Sequence, residues 1–349
     1  MWIENRVFEE DLQYINNAEF IDWDKINNKT VFITGATGLI GYTLVCALLY
    51  RNLVYSSNIK VIALVRDIVK AKNKYDKQLK QNANIEFVVG DVERPFSINH
   101  KIDFIIHGAN PTASRYFIEY PVETIKSVVF GTINILELAR THKIESMLYL
   151  SSMEIYGAPH TSSSILETHG TTTDTMSVRS CYPEAKRLCE NLCISYLSEH
   201  KVPAKVIRLA QTFGPGISEN DSRVFAEFIS CVKNKQDIVL KTSGKSKRCY
   251  LYTADAVTAI LAVLINGKNG EAYNAANTST YCSILDMART IVHEIANDEI
   301  TMIFDKNDNG ENANLFSPEH NLNLNVQKLE ALKWRSNIDL VDMYKRVLL

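Results

Sequence analysis

Thr30-Val-Phe-Ile-Thr-Gly-Ala-Thr-Gly-Leu-Ile-Gly41 decides the fold. Its first five residues form a short apolar and β-branched run, which reads as a buried strand. Glycines follow at 35, 38 and 41, and helical spacing begins at Leu39 and runs to Tyr50. A strand that passes through a glycine turn into a helix is a dinucleotide-binding arrangement. Gly35 serves the tight turn, Gly38 lets backbone approach a pyrophosphate, and Gly41 allows close packing of the helix. The first N–H groups of such a helix are free to meet phosphate oxygens. Thr37, Leu39 and Ile40 lie in the same loop and first turn and are read with the glycines as cofactor contacts.

Outward from this stretch the chain alternates. Lys60–Val65, Ile85–Val89, Phe104–Ile106, Met147–Leu150 and Ala204–Arg208 read as strands, and Val69–Gln81, Val122–Thr141 and Tyr182–Glu199 as helices. Near-continuous apolar strands between helices predict a parallel sheet covered on both faces. Right-handed crossovers then make it a doubly wound, Rossmann-like α/β sheet. Residues 1–208 are expected to form the NAD(P)-binding domain, with residues 1–28 as an Asn-rich helical lead-in. Beyond residue 209 glycines punctuate shorter elements, at Gly214-Pro-Gly216, Gly244 and Gly267–Gly270. Residues 209–349 are expected to be mainly a smaller C-terminal substrate-binding lobe, with Asp305–Asn325 as loop.

Composition narrows the classes. Of 349 residues 46% are hydrophobic, enough for a sizeable core. A net charge of -2 gives no electrostatic case for nucleic acid or an anionic membrane. The seven cysteines include no Cys-x-x-Cys, and reduced thiols in a cytoplasmic protein are expected. Cys189 and Cys193 lie one helical turn apart and read as core, so no metal site is expected. The opening Met1-Trp-Ile-Glu-Asn lacks a signal-peptide pattern, and the run Ala259–Ile265 is too short to span a bilayer.

Two further stretches carry chemistry: Leu150-Ser-Ser-Met-Glu-Ile-Tyr-Gly157 and Arg179-Ser-Cys-Tyr-Pro-Glu-Ala-Lys186. Tyr182 and Lys186 stand at i and i+4, on one face of a helix. Ser152 and Glu154 stand at i and i+2, on one side of a strand end if the chain there is extended. Hydroxyl, carboxylate, phenol and ammonium form a proton-handling set, and beside a dinucleotide signature they read as an active site for redox chemistry on a sugar. Asp91 and Val92, beyond the third strand, are placed for the adenine end of the cofactor. The second strand closes Leu64-Val-Arg-Asp67. Asp67 suits the ribose hydroxyls of NAD, whereas Arg66 suits the 2′-phosphate of NADP, and both cofactors stay open.

The glycine motif, the Ser-Ser-x-x-Ile-Tyr-Gly stretch and Tyr-x-x-x-Lys together resemble the extended short-chain dehydrogenase/reductase superfamily. The resemblance covers about residues 29–345 and falls in the nucleotide-sugar epimerase/dehydratase branch. Within that branch the chain looks most like UDP-glucuronate decarboxylases, through His107–Ser114 with Tyr116, Arg179–Tyr182, Arg208–Pro215, Asp221–Val224, Lys247–Tyr250 and Asn323–Trp334. The resemblance implies a nucleotide-sugar substrate, bound NAD and a homodimer paired through the helices at 122–141 and 182–199. It implies Tyr182 as base, its phenol lowered by Lys186 and the nicotinamide charge, with Ser152 relaying and Glu154 acting at C5. It implies cofactor contact at Ala109 and sugar or diphosphate contact at Ser114, Tyr116, Gln211, Arg223 and Arg248. His107 is expected to pack or to bond backbone beside the cofactor.

The sequence also departs from that pattern. Met153 replaces a Ser of the decarboxylases and an Asp of the 4,6-dehydratases, and a thioether cannot donate the proton that water loss needs. Gln211 replaces an Asn, and Ser317-Pro-Glu-His-Asn-Leu322 lacks an arginine. The expected reactions are decarboxylation of a UDP-uronic acid first, then 4-epimerisation, 4,6-dehydration or reduction of a 4-keto sugar. A cofactor-binding protein without turnover is the alternative outside catalysis.

Overall fold

A computed structural model describes residues 5–81, 83–159, 163–305 and 319–349. The first strands in chain order are β1 (Thr30–Thr34), β2 (Lys60–Val65), β3 (Ile85–Val89), β4 (Phe104–His107), β5 (Ser146–Ser152) and β6 (Ala204–Leu209). They are followed by β7 (Gln211–Phe213), β8 (Ile238–Leu240), β9 (Lys247–Tyr252), β10 (Ala272–Ala275), β11 (Asn277–Ser283), β12 (Met302–Phe304) and β13 (Asn321–Leu322). Seven of these form one sheet in the order β10-β6-β5-β4-β1-β2-β3. Every neighbouring pair in it is parallel.

Alternation along each strand divides the core between the two faces. Val31 and Ile33 of β1 pack with helices Leu39–Tyr55 and Thr253–Asn266. Phe32 between them packs on the other side with helices Pro121–His142 and Cys181–His200. Both faces are thus covered, which is why β1, β2 and β4 could be almost wholly apolar. The strand order reverses between β1 and β4, and a ligand crevice opens beyond the carboxyl ends of the strands at such a reversal. The smaller lobe holds β11-β9-β13, with β7 also paired to β9, and a separate β8–β12 pair.

Several elements differ from the sequence reading. Val69–Gln81 is two helices, Ile68–Lys74 and Asp76–Lys80, parted at Tyr75. Tyr75 is fully buried there, and its hydroxyl donates to the Ala36 carbonyl at 2.6 Å. The N-terminal segment is part of the core rather than a lead-in. Leu12, Ile15, Trp23 and Ile26 are buried, the Tyr14 hydroxyl donates to Asp255 Oδ1 at 2.7 Å, and Arg346 Nη2 donates to Asp11 Oδ1 at 2.9 Å. The expected division at residue 209 is crossed by β10, which joins the main sheet, and by the helix Thr253–Asn266 against it. Within the expected loop 305–325, β13 pairs with β9. The remaining part of that loop call, 306–318, lies outside the described residues, as do Ser317 and Pro318 of the stretch without arginine.

Candidate active site

The glycine loop is closed by backbone contact. Gly35 has φ of +75°, a conformation that favours glycine. A Cβ at Gly41 would lie 2.1 Å from the Gly35 carbonyl oxygen, so the helix can begin this close to β1 only without a side chain. The close approach is to the loop backbone at Gly35 and Ala36 that follows β1. No side chain caps the N-terminus of helix Leu39–Tyr55, so its first N–H groups are left for an anion. From below, Lys74 Nζ donates to the Thr37 carbonyl at 2.8 Å. This loop lines a cavity of about 1030 Å³, and the residues present fit a dinucleotide.

The same cavity is lined by Arg66, Asp91, Val92, Ala109, Ser114, Tyr116, Ser152, Glu154, Tyr182, Lys186, Gln211, Arg223 and Arg248. Asp67 is not at the cavity, which corrects its reading as a ribose ligand. Its Oδ1 accepts from the N–H groups of Val69 and Lys70 at 2.9 and 3.0 Å and caps the following helix.

Ser152 is the last residue of β5 and caps a short 3-10 turn, Met153–Tyr156. Its Oγ accepts from the Glu154 N–H at 3.2 Å. Glu154 therefore projects from a turn, not from the extended strand that i, i+2 spacing supposed. Arg179 Nη2 donates to Glu154 Oε2 at 2.8 Å. The Arg179 guanidinium lies 5.0 Å over the Phe117 ring, and that ring stacks on Tyr182 at 4.3 Å and 8°. Met153 is buried and also lines the cavity.

Tyr182 and Lys186 face inward from one side of helix Cys181–His200, and both are buried. Burial pushes the Tyr182 phenol well above its ordinary range, and the Glu154 charge adds to this. A hydrogen bond from Ser152 and the charges of Arg179 and Arg223 pull the other way. The protein's own groups thus raise the phenol, against the expectation that it is lowered. Burial lowers Lys186 to about 8. Its Nζ donates to the Leu150 carbonyl at 2.6 Å and, with the Asn110 amide oxygen turned toward it, to Asn110 at 3.0 Å.

His107 is fully buried and bonds hydroxyls rather than backbone. Nδ1 lies 2.7 Å from Thr34 Oγ1, and Nε2 lies 3.3 Å from Thr132 Oγ1. Burial, with a smaller push from Lys186, lowers it to about 3, so it is neutral at physiological pH. Thr34 Oγ1 also accepts from the Gly108 and Ala109 N–H groups, which sets Ala109 at the cavity wall.

On the substrate side, Arg248 Nη1 donates to Gln211 Oε1 at 3.3 Å, and its buried Nε has no partner among the described residues. Arg223 is clamped by Asp221, with Nη2 to Oδ2 at 2.5 Å. Sequence reasoning missed Arg179 as a site residue, although it opens the very motif that contains Tyr182. It also missed the brace behind β5. Arg208 pairs with Glu190 at 2.6 Å, and Arg208 Nη1 donates to the Tyr156 hydroxyl at 2.8 Å. Ser151 Oγ donates to Glu190 at 2.5 Å, so the helix Cys181–His200, β5 and the Glu154 turn are tied together. Among the described residues no group of His, Cys, Asp or Glu has the makings of a metal site.

Comparison with known proteins gives the family and the fold. UDP-glucuronic acid decarboxylase 1 of Xenopus tropicalis is 29% identical over 266 residues, 76% of this chain but 60% of that protein's length. UDP-glucuronic acid decarboxylase 6 of Arabidopsis thaliana is 27% identical over 83% of this chain and 80% of its own. The fold matches an epimerase from Methanothermobacter thermautotrophicus with TM-score 0.77 and 20% identity, over 95% of this chain and 94% of that one. A dTDP-glucose 4,6-dehydratase from Bacillus anthracis in complex with NAD matches with TM-score 0.72 and 18% identity, over 92% and 95%. The profile of the NAD dependent epimerase/dehydratase family matches residues 31–276, and the chain belongs to that family.

Proposed function

We propose that this chain modifies a nucleotide-linked sugar through transient oxidation at C4, with decarboxylation of a UDP-uronic acid as the leading reaction. The observation that carries the reading is the convergence of Ser152, Glu154, Tyr182 and Lys186 on the cavity that the glycine loop also lines. A bound NAD or NADP supplies the hydride acceptor at C4. Tyr182, as phenolate once the bound nicotinamide's positive charge offsets the burial that raises it, would take the proton of the sugar 4-hydroxyl, directly or through Ser152 Oγ. Lys186, held by the Leu150 carbonyl, stands ready to hold the nicotinamide ribose. The resulting 4-ketone acidifies C5 and labilises a carboxylate there; when CO2 leaves, the enolate takes a proton at C5, and the hydride returned to C4 restores the carbinol. Glu154, oriented by Arg179, acts at C5 or on the group it bears. Arg248, Gln211 and Arg223 bind the diphosphate, since the orphaned Arg248 Nε is a donor suited to an anionic oxygen. Ser114 and Tyr116 border the sugar.

Met153 separates the candidate reactions. Its thioether offers no proton, which counts against 4,6-dehydration and leaves loss of CO2 or inversion at C4. The 27–29% identities to decarboxylases favour loss of CO2. We also assign the division of labour along the chain to residues 1–208 for the dinucleotide and mainly 209–349 for the substrate. Exposed Val122, Ile125 and Phe130 on one helix and Leu188 and Ile194 on its neighbour support a homodimer through these two helices. Seven free cysteines fit a cytoplasmic protein, and no helix among the described residues is long and apolar enough to cross a membrane.

The test is incubation with a panel of nucleotide sugars read by mass spectrometry. Loss of CO2 from UDP-glucuronate supports decarboxylation, and unchanged mass with altered sugar configuration turns the assignment to epimerisation. Failure to convert any nucleotide sugar while still binding NAD(P) would overturn the catalytic reading.

A further inference from the structure

The carboxyl end of β2 carries two charged residues, and the fold gives them opposite fates. Asp67 turns away to cap the helix Ile68–Lys74 and does not line the cavity. Arg66 lines the cavity with Thr37 of the glycine loop, is exposed, and has no ion-pair partner among the described residues. The ribose next to the adenine must lie near this strand end, because the pyrophosphate is fixed by the helix N-terminus that follows β1 and β2 is the next strand in the sheet. A carboxylate at that place hydrogen-bonds both ribose hydroxyls, whereas a guanidinium there receives a 2′-phosphate. Two of the acids that line the cavity, Asp91 and Glu93, belong to the segment after β3, and Asp91 Oδ1 already accepts from the Glu93 N–H at 3.0 Å.

We infer that this chain selects a 2′-phosphorylated dinucleotide, NADP(H), over NAD(H), with Arg66 as the specificity-determining residue. The inference rests on the dinucleotide reading of the cavity but not on the sugar chemistry. It sets this chain apart from what the family description names. Selection acts through a charge-assisted, two-pronged contact from the planar guanidinium to phosphate oxygens.

The experiment is calorimetric titration of the full chain, freed of copurified nucleotide, with NADP+, NAD+, 2′,5′-ADP and 5′-AMP. NADP+ is expected to bind about tenfold to a hundredfold more tightly than NAD+, the span one charged hydrogen-bonded contact supplies. The same preference is expected for 2′,5′-ADP over 5′-AMP, and it narrows as salt rises. Arg66→Ala erases the preference by weakening NADP+ alone, and Arg66→Asp reverses it. Because Arg66 is exposed, neither variant removes packing. Equal or tighter binding of NAD+ by the unaltered chain would overturn the inference and leave the proposed function standing. Equal weakening of both nucleotides in Arg66→Ala overturns the role of Arg66. Binding of neither nucleotide sinks both the inference and the dinucleotide reading.

Discussion

Arg179 and Glu154 hold each other 2.8 Å apart, and the arginine also rests on Phe117, the ring stacked against Tyr182. One guanidinium therefore sets the position of the candidate acid and backs the surface on which the candidate base lies. Arg179→Gln should leave Glu154 free to turn. A loss of about tenfold to a hundredfold in kcat is expected, the scale of an ångström-sized misplacement. The double variant Arg179→Gln with Glu154→Gln should lose less than the sum of the two single losses, as for residues in direct contact. Additive losses would show that the two groups act independently.

The pH profile should report Lys186. Burial lowers its folded-state pKa to about 8, so the free enzyme keeps the ammonium below that pH and loses it above. kcat/KM reports free-enzyme ionisations, so it should fall on the alkaline side with an apparent pKa near 8. Lys186→Arg, which cannot deprotonate in this range, should remove that limb whatever activity it retains. An unchanged alkaline limb in the variant would assign it elsewhere.

Gly41→Ala should abolish dinucleotide binding. Its Cβ would stand 2.1 Å from the Gly35 carbonyl oxygen, so loop or helix must shift. A stability loss of about 1–3 kcal/mol is expected from such overpacking, read as a lower urea midpoint. Undiminished nucleotide affinity in Gly41→Ala would mean that the loop does not hold the pyrophosphate.

The sheet was legible because β1, β2 and β4 are almost wholly buried and apolar, and because β1 and β2 each lead into a helix. Tyr182 and Lys186 were legible for a similar reason, since i, i+4 spacing means one thing on a helix. Glu154 was misplaced because strand spacing was carried past Ser152, where the Ser152 side chain ends the strand by capping a tight turn. The N-terminal helix looked peripheral because its ties reach across the whole chain, from Asp11 to Arg346 and from Tyr14 to Asp255, and no local period reveals them. Asp67 and Arg66 are adjacent in sequence, and only the helix cap separates their roles.

Those long-range ties should carry stability rather than chemistry. Asp11 is buried and receives both Arg346 Nη2 at 2.9 Å and the Tyr252 hydroxyl at 2.7 Å. Arg346→Ala removes one charged partner of the buried Asp11 carboxyl and should cost about 2 kcal/mol, seen as a lower unfolding midpoint. Nucleotide affinity well below that midpoint should be unchanged. A wild-type midpoint in this variant would show that the N-terminal helix docks without the pair.

The central claim is that Tyr182 takes the proton when C4 is oxidised, and Tyr182→Phe tests it most directly. The measurement is turnover of whichever nucleotide sugar the unaltered chain converts, with nucleotide affinity measured in parallel. The account predicts a fall in kcat of about 10²–10⁴-fold, with dinucleotide affinity largely kept. Turnover near the unaltered rate with phenylalanine at position 182 would contradict it.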